Sequence, residues 1–326
     1  MRIRLLEQVA AAAAAACLTL APQARGGATI YVDGAAPAGG DGSSGAPFAT
    51  IADGLAALQA TNALEQGGHT LFIQPGRYPG GYVISNELAG VDGATNVIAA
   101  LPGTVTITNG NPAIRATPTV QPHFRVEGVR FESLPGHAFN LRGWFHSFTI
   151  RSCAFVNGAT HGIYYEGTAF RNNCAPVIEH CDFYGNGGSG IRAGYHNGFI
   201  IRNCSFVNNH EYGLQRHDGY YAPMILENNL FHGNGAGLKR GGWPDHPLYS
   251  DAGELNAAQP HSIAGYLPRA YTNNVDLPPL YANAAAWDFT VLYAGSGLTN
   301  RATDGGHIGV CQNPVIIDPA ATVYHV

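Results

Sequence analysis

Five segments of this chain align without a gap: FRVEGVRF (124–131), FTIRSCAF (148–155), PVIEHCDF (176–183), FIIRNCSF (199–206) and MILENNLF (224–231). Their closing phenylalanines, Phe131, Phe155, Phe183, Phe206 and Phe231, are 24, 28, 23 and 25 residues apart. Each segment runs through a Gly/Asn turn into a second short strand: GHAFNLR (136–142), HGIYYEG (161–167), SGIRAGY (189–195), YGLQRHD (212–218) and AGLKRGG (236–242). A unit of about 25 residues with short strands and polar corners cannot bury an apolar face alone. Stacking successive units buries it and sets neighbouring strands about 4.8 Å apart. Equivalent positions then form columns, and each column must make physical sense.

One column reads Val126, Ile150, Ile178, Ile201, Leu226, an inward aliphatic stack beside the phenylalanines. The next position reads Glu127, Arg151, Glu179, Arg202, Glu227, with the sign alternating at every step. Opposite charges on adjacent strands contribute roughly 0.2–1 kcal/mol per pair, as an outward column in parallel register should. These five residues are therefore structural, which removes Arg151 and Arg202 from the candidate catalysts. Cys153, Cys181 and Cys204 share an inward column. Their side chains run side by side, so buried thiols acting as small apolar fillers are favoured over disulfides. Ser152, His180, Asn203 and Asn228 fall at a corner, where Asn tolerates left-handed backbone.

Composition agrees. Of 326 residues, 43 are Gly and 20 are Pro, charged residues are 12%, and net charge is −5. Helical bundles do not tolerate that much Gly, and a nucleic-acid binder carries a basic excess. No segment is long and apolar enough to span a bilayer. Residues 1–24 have the pattern of an export signal: Arg2 and Arg4, then a short apolar run over Val9–Leu20, then small residues. A secreted or periplasmic protein is expected. After its removal five cysteines remain (Cys174 and Cys311 being the others), so at least one is unpaired.

Ahead of the repeats, residues 25–66 read as a strand, a Gly-rich loop and a short helix whose apolar face is Ile51, Leu55 and Leu58. Residues 67–242 are assigned to the coils, about seven to nine of them, and 243–326 to an irregular closing segment. The order G-x-x-x-x-P-F-A-T-I…A-L, followed by FIQPGRY (72–78), resembles the start of secreted right-handed parallel β-helix proteins, the pectin-lyase-like superfamily. The stretch WDFTVLYAGSGLTN…DGGHIGV (287–310) is similar to a closing segment of that group, with Gly297 where Pro is usual. The resemblance implies an all-β right-handed parallel β-helix with a helical cap. It leaves activity open, because lyases, hydrolases, epimerases and adhesins share that fold.

The second strand of each coil is the better place for chemistry, because its outward column is not self-neutralised. Its first outward residues are Asn140, Tyr164, Arg192, Gln215 and Lys239; the second are Arg142, Glu166, Gly194, His217 and Gly241. Abstracting the C5 proton of a uronate needs positive charge or strong donors at the carboxylate and a base within hydrogen-bond reach. Arg192, Gln215 and Arg142 can hold the carboxylate, His217 or Lys239 can take the proton, and Tyr164 or Tyr212 can act on the other side. YGLQRHD also resembles the Y-G-F-D-P-H-D/E segment of mannuronan C5-epimerases, which implies proton transfer by Tyr212 and His217; Gln215 and Arg216 depart from it.

Each residue also has a structural reading. Lys239 can be a solvated tip, and His217 can cap a turn with Asp218. Arg216 and Arg240 fall on inward positions by strict alternation, so the strand is expected to end there with both pointing out. Trp243 is either a sugar-stacking platform or a lid on the last coil. Zinc-protease, serine-hydrolase and nucleotide-binding motifs have no match. The expectation is a monomeric lyase acting on an acidic polysaccharide, with no cofactor required by the sequence and calcium compatible with it. A non-catalytic carbohydrate-binding β-helix and a C5-epimerase are the alternatives.

Overall fold

The computed structural model describes residues 26–117, 122–143, 145, 147–166, 176–193, 199–216, 224–235, 248–249, 269–272, 281–283 and 288–291. The expected export signal, Cys174, Cys311, and the candidate residues His217, Lys239, Arg240 and Trp243 lie outside them.

Short strands follow one another around three faces. The first sheet has nine strands, and the second and third have seven each. One coil comprises Phe148–Arg151 on the first face, Ala154–Val156 on the second and Ile163–Tyr165 on the third. Among the described residues, six coils give a strand to every face. A seventh, with Met224–Glu227 and Leu230–His232, gives two, and Arg269–Thr272 adds a further strand to the first sheet. From Thr70–Ile73 to Met224–Glu227 the pairing on the first face is parallel throughout.

The expected columns are present. Ile150 lies opposite Val126 on one side and Ile178 on the other, and the row continues through Ile201 to Leu226. The five phenylalanine rings stack with centroids 5.2, 4.6, 4.7 and 4.7 Å apart and planes within 10°. Burying each ring contributes roughly 1.5–3 kcal/mol. In the charged column, Arg151 Nε lies 3.9 Å from Glu127 and 3.7 Å from Glu179, and Arg202 Nε lies 3.1 Å from Glu227.

Cys153, Cys181 and Cys204 are free, buried thiols. Each Sγ–H has its nearest acceptor in its own coil, the carbonyl of Arg151 at 3.3 Å, Glu179 at 3.3 Å and Arg202 at 3.2 Å, with a carbonyl of the coil before it slightly farther off. Burial pushes the Cys153 and Cys181 thiols well above their ordinary range, so they stay protonated.

The corner column turns through left-handed backbone, with φ of 50° at Ser152, 54° at His180, 50° at Asn203 and 57° at Asn228. Past the second face, Asn186, Asn209 and Asn234 form a ladder. Asn186 Nδ2 donates to Asn209 Oδ1 at 2.9 Å, and Asn209 Nδ2 donates to Asn234 Oδ1 at 2.8 Å. The same amides also donate to the carbonyls of Phe155, Phe183 and Phe206.

Helix α1 (Ile51–Leu64) covers the open end of the first coil. Thr50 caps it, its hydroxyl oxygen accepting the Asp53 N–H at 3.1 Å. Ile51, Leu55 and Leu58 are buried, as their spacing predicts. Gly54 lets the helix sit close: a Cβ there would lie 2.6 Å from Val32 Cγ2 and 2.8 Å from Leu71 Cδ1.

Candidate functional site

The outward sides of the three faces differ. On the second face Thr106, Val156, Asp182, Ser205 and Val207 alternate with inward residues and yet are buried. On the first, the charged column neutralises itself. On the third, Val83 is half exposed, Arg115 is exposed, and Asn140, Tyr164, Arg192 and Gln215 remain partly open. The third face therefore offers polar side chains to solvent.

Its outward column is in the register that the repeat requires. Asn140 lies opposite Tyr164, Tyr164 opposite Arg192, and Arg192 opposite Gln215. Arg192 also sits over the Tyr164 ring, 5.8 Å from its centroid. The second column begins with a pair: Arg142 Nη2 donates to Glu166 Oε1 at 2.5 Å. Arg142 is thus already matched by a carboxylate, as the first-face arginines are. The third-face strand runs Leu214–Arg216, with Arg216 opposite Ala193, and the residues that follow lie outside those described.

A third row of functional groups precedes these strands, two residues before each inward anchor: His137, His161, Ser189 and Tyr212. The backbone ladder continues through it, Gly162 N–H donating to Ser189 O at 3.2 Å and Gly190 N–H to Tyr212 O at 2.8 Å. The His137 and His161 rings stack at 5.3 Å and 10°. Tyr164 tilts against both, at 4.8 Å and 6.0 Å. The sequence reading passed over these histidines. Their signal is the shared place of His in GHAF and HGIY, two residues before Phe139 and Ile163.

Hydrogen bonds fix this row. Ser189 N–H donates to His161 Nδ1 at 2.8 Å. Ser189 Oγ–H has two acceptors in reach, Glu211 Oε2 at 3.1 Å and Gln215 Oε1 at 3.3 Å. Thr160 Oγ1 is 2.8 Å from His137 Nδ1. Tyr212 is only 5% exposed, and its N–H donates to Ser189 Oγ at 3.4 Å. Burial, together with the Arg192 charge, holds the His137 imidazolium below its ordinary range. Burial, then His137 and Arg192, brings His161 down to about 3. Both rings are therefore neutral at physiological pH. Among the described residues, no three His, Cys, Asp or Glu side chains are grouped to hold a metal ion.

A family model described as "Right handed beta helix region" matches residues 104–246, the span that contains this site. The chain contains a right-handed parallel β-helix. This is the fold implied by the resemblance to pectin-lyase-like proteins. Among solved structures, the β-helix is similar to pectate lyase Pel9A, at 19% identity over 67% of this chain and 56% of that one, with a TM-score of 0.49. A rhamnogalacturonan lyase matches at 13% identity over 64% and 75% of the two chains, with a TM-score of 0.29. The pectin methylesterase from Aspergillus niger matches at 14% over 78% and 86%, with a TM-score of 0.32. The chain thus spans a little over half the length of the pectate lyase. No curated protein matches it. No helix among the described residues is long and apolar enough to cross a membrane.

Proposed function

We propose that the third face binds an acidic, uronate-bearing polysaccharide laid across the strands and cleaves it by C5 proton abstraction and β-elimination. The observation that carries this reading is the in-register strip Asn140, Tyr164, Arg192, Gln215, backed by the row His137, His161, Ser189. The three strand spacings from Asn140 to Gln215 cover about 14 Å, room for roughly three sugar units. Arg192 brings a charge that no carboxylate of the described residues matches within 4.0 Å. Its planar fork suits a sugar carboxylate, and neutralising that carboxylate acidifies the C5 hydrogen. In this reading Tyr164, which tilts against both imidazoles, passes a proton to the leaving oxygen. The base is assigned to His217 or Lys239, which lie outside the described residues.

The pairing of Arg142 with Glu166 favours a second reading, a binding module without chemistry, because part of the strip is self-neutralised as the first face is. A C5-epimerase would rely on Tyr212, which is only 5% exposed. Incubation with a panel of uronate polymers, followed by the ultraviolet absorbance of the unsaturated product, separates the readings. The lyase gives rising absorbance, lost in His217→Ala or Lys239→Ala with polymer binding retained. Binding with no new absorbance leaves the module, and an altered uronate ratio leaves the epimerase.

A further inference from the structure

His161 and Arg192 meet in a way that the protein alone does not satisfy. Nε2 of His161 lies 3.4 Å from Arg192 Nη1. A guanidinium can only donate. For this contact to be a hydrogen bond, Nε2 would have to accept, and the neutral ring's proton would sit on Nδ1. Nδ1, however, is 2.8 Å from the Ser189 amide, which also can only donate. One neutral imidazole has one acceptor nitrogen. The shorter contact takes it: two donors facing each other at 2.8 Å cost far more than two at 3.4 Å, which is already near the limit of hydrogen bonding.

Nδ1 therefore accepts from Ser189, and the proton is on Nε2. Among the described residues the Nε2–H meets only another donor, and Arg192 has no carboxylate within 4.0 Å. Glu211 does not change this. Its Oε2 is 3.8 Å from Nδ1, on the other side of the ring, and is in hydrogen-bond reach of Ser189 Oγ. The His161 side chain is 8% exposed, and stacking on His137 sets its plane. Two donors thus converge on one point at the edge of the strip, one of them a nearly buried group with no acceptor among the described residues.

We infer that His161 Nε2–H and the Arg192 guanidinium together form a two-donor seat for a single carboxylate of the ligand. The seat rests on the acidic-polysaccharide reading for the identity of its occupant, but its geometry is set by the Ser189 amide alone. Arg192 supplies the charge and its fork takes one or both oxygens; His161 adds a neutral, directional donor. A sulfate ester presents similar oxygens in tetrahedral array and is the competing occupant.

The test is long-range proton–nitrogen NMR of the intact chain with labelled histidine, His161 being assigned by loss of its signals in His161→Gln. The expected spectrum has the proton on Nε2. Sodium galacturonate should shift the Nε2–H resonance saturably, with roughly tenfold weaker binding in Arg192→Gln and part of it regained in Arg192→Lys. A proton on Nδ1 would overturn the seat, as would oligouronate binding that leaves this resonance unmoved. A shift with glucose 6-sulfate and none with galacturonate would overturn the carboxylate assignment. A shift with galacturonate when uronate polymers are neither bound nor cut would leave the seat standing and remove the polysaccharide reading.

Discussion

Two buried titratable groups set opposite pH dependences in this coil stack. The Asp182 carboxyl is pushed up from 3.8 to about 8, chiefly by burial; the Ser205 hydrogen bond and the Arg130 charge act the other way. Between those two values the folded chain holds a proton that the unfolded chain releases, so this contribution to stability is complete below 3.8 and lost as pH rises through 8. His161 is the reverse case. Its folded value of about 3 lies below the ordinary 6.5, so its contribution is present above 6.5 and lost as pH falls toward 3. From 6.5 to 8 only Asp182 of the two titrates. The urea midpoint should accordingly drop between pH 6.5 and 8, and Asp182→Asn should flatten that slope. An unchanged slope in the variant would show that Asp182 is already ionised. Neither residue stands out in the sequence as buried. Asp182 occupies an outward position by alternation, and its burial depends on what covers the second face, which the repeat does not encode. The histidine row was readable in principle. Its two histidines precede the inward anchors Phe139 and Ile163, outside the strand alternation that marks the outward columns.

At the scale of an element, the coil is held by continuous rows rather than by single contacts. Asn209 shows why: its side chain accepts from the Asn186 amide, donates to Asn234 and donates to the Phe183 carbonyl. Asn209→Ala leaves buried partners on two neighbouring coils unsatisfied and should cost about 2–4 kcal/mol, measured by urea unfolding. A Leu there should not rescue it, because the loss is of polar partners and not of volume. Phe183→Ala removes one ring from the middle of the stack and should cost about 3–5 kcal/mol. The strands, their faces and the charged column were legible because a period of two along the strand and one of about 25 along the chain must agree. The corner column was legible through Asn203 and Asn228.

For the whole molecule, the decisive boundary is the open end under α1. A solenoid edge carries unpaired backbone groups that can recruit another chain. Helix α1 lies against it closely enough that Gly54 has no room for a side chain beside Val32 and Leu71. Gly54→Leu should lift the helix, lower the melting temperature and raise the self-associated fraction seen in sedimentation velocity. A variant that melts early yet stays monodisperse would show that α1 stabilises the edge without shielding it. Cap and core were readable from Ile51, Leu55 and Leu58 and from the phenylalanine spacing. The partner of the third face was not, because the repeat dictates where side chains stand and says nothing of what touches them.

The uninterrupted parallel register has one more result. Since the coils from Phe124 to Glu227 pair with their neighbours in one parallel register, a whole repeat can be spliced in or out without redesigning the backbone joints. Each such edit would lengthen or shorten the third-face strip by one fixed increment of about 4.8 Å. The molecule is built as a ruler whose graduations are coils, so the length of its faces changes only in whole steps.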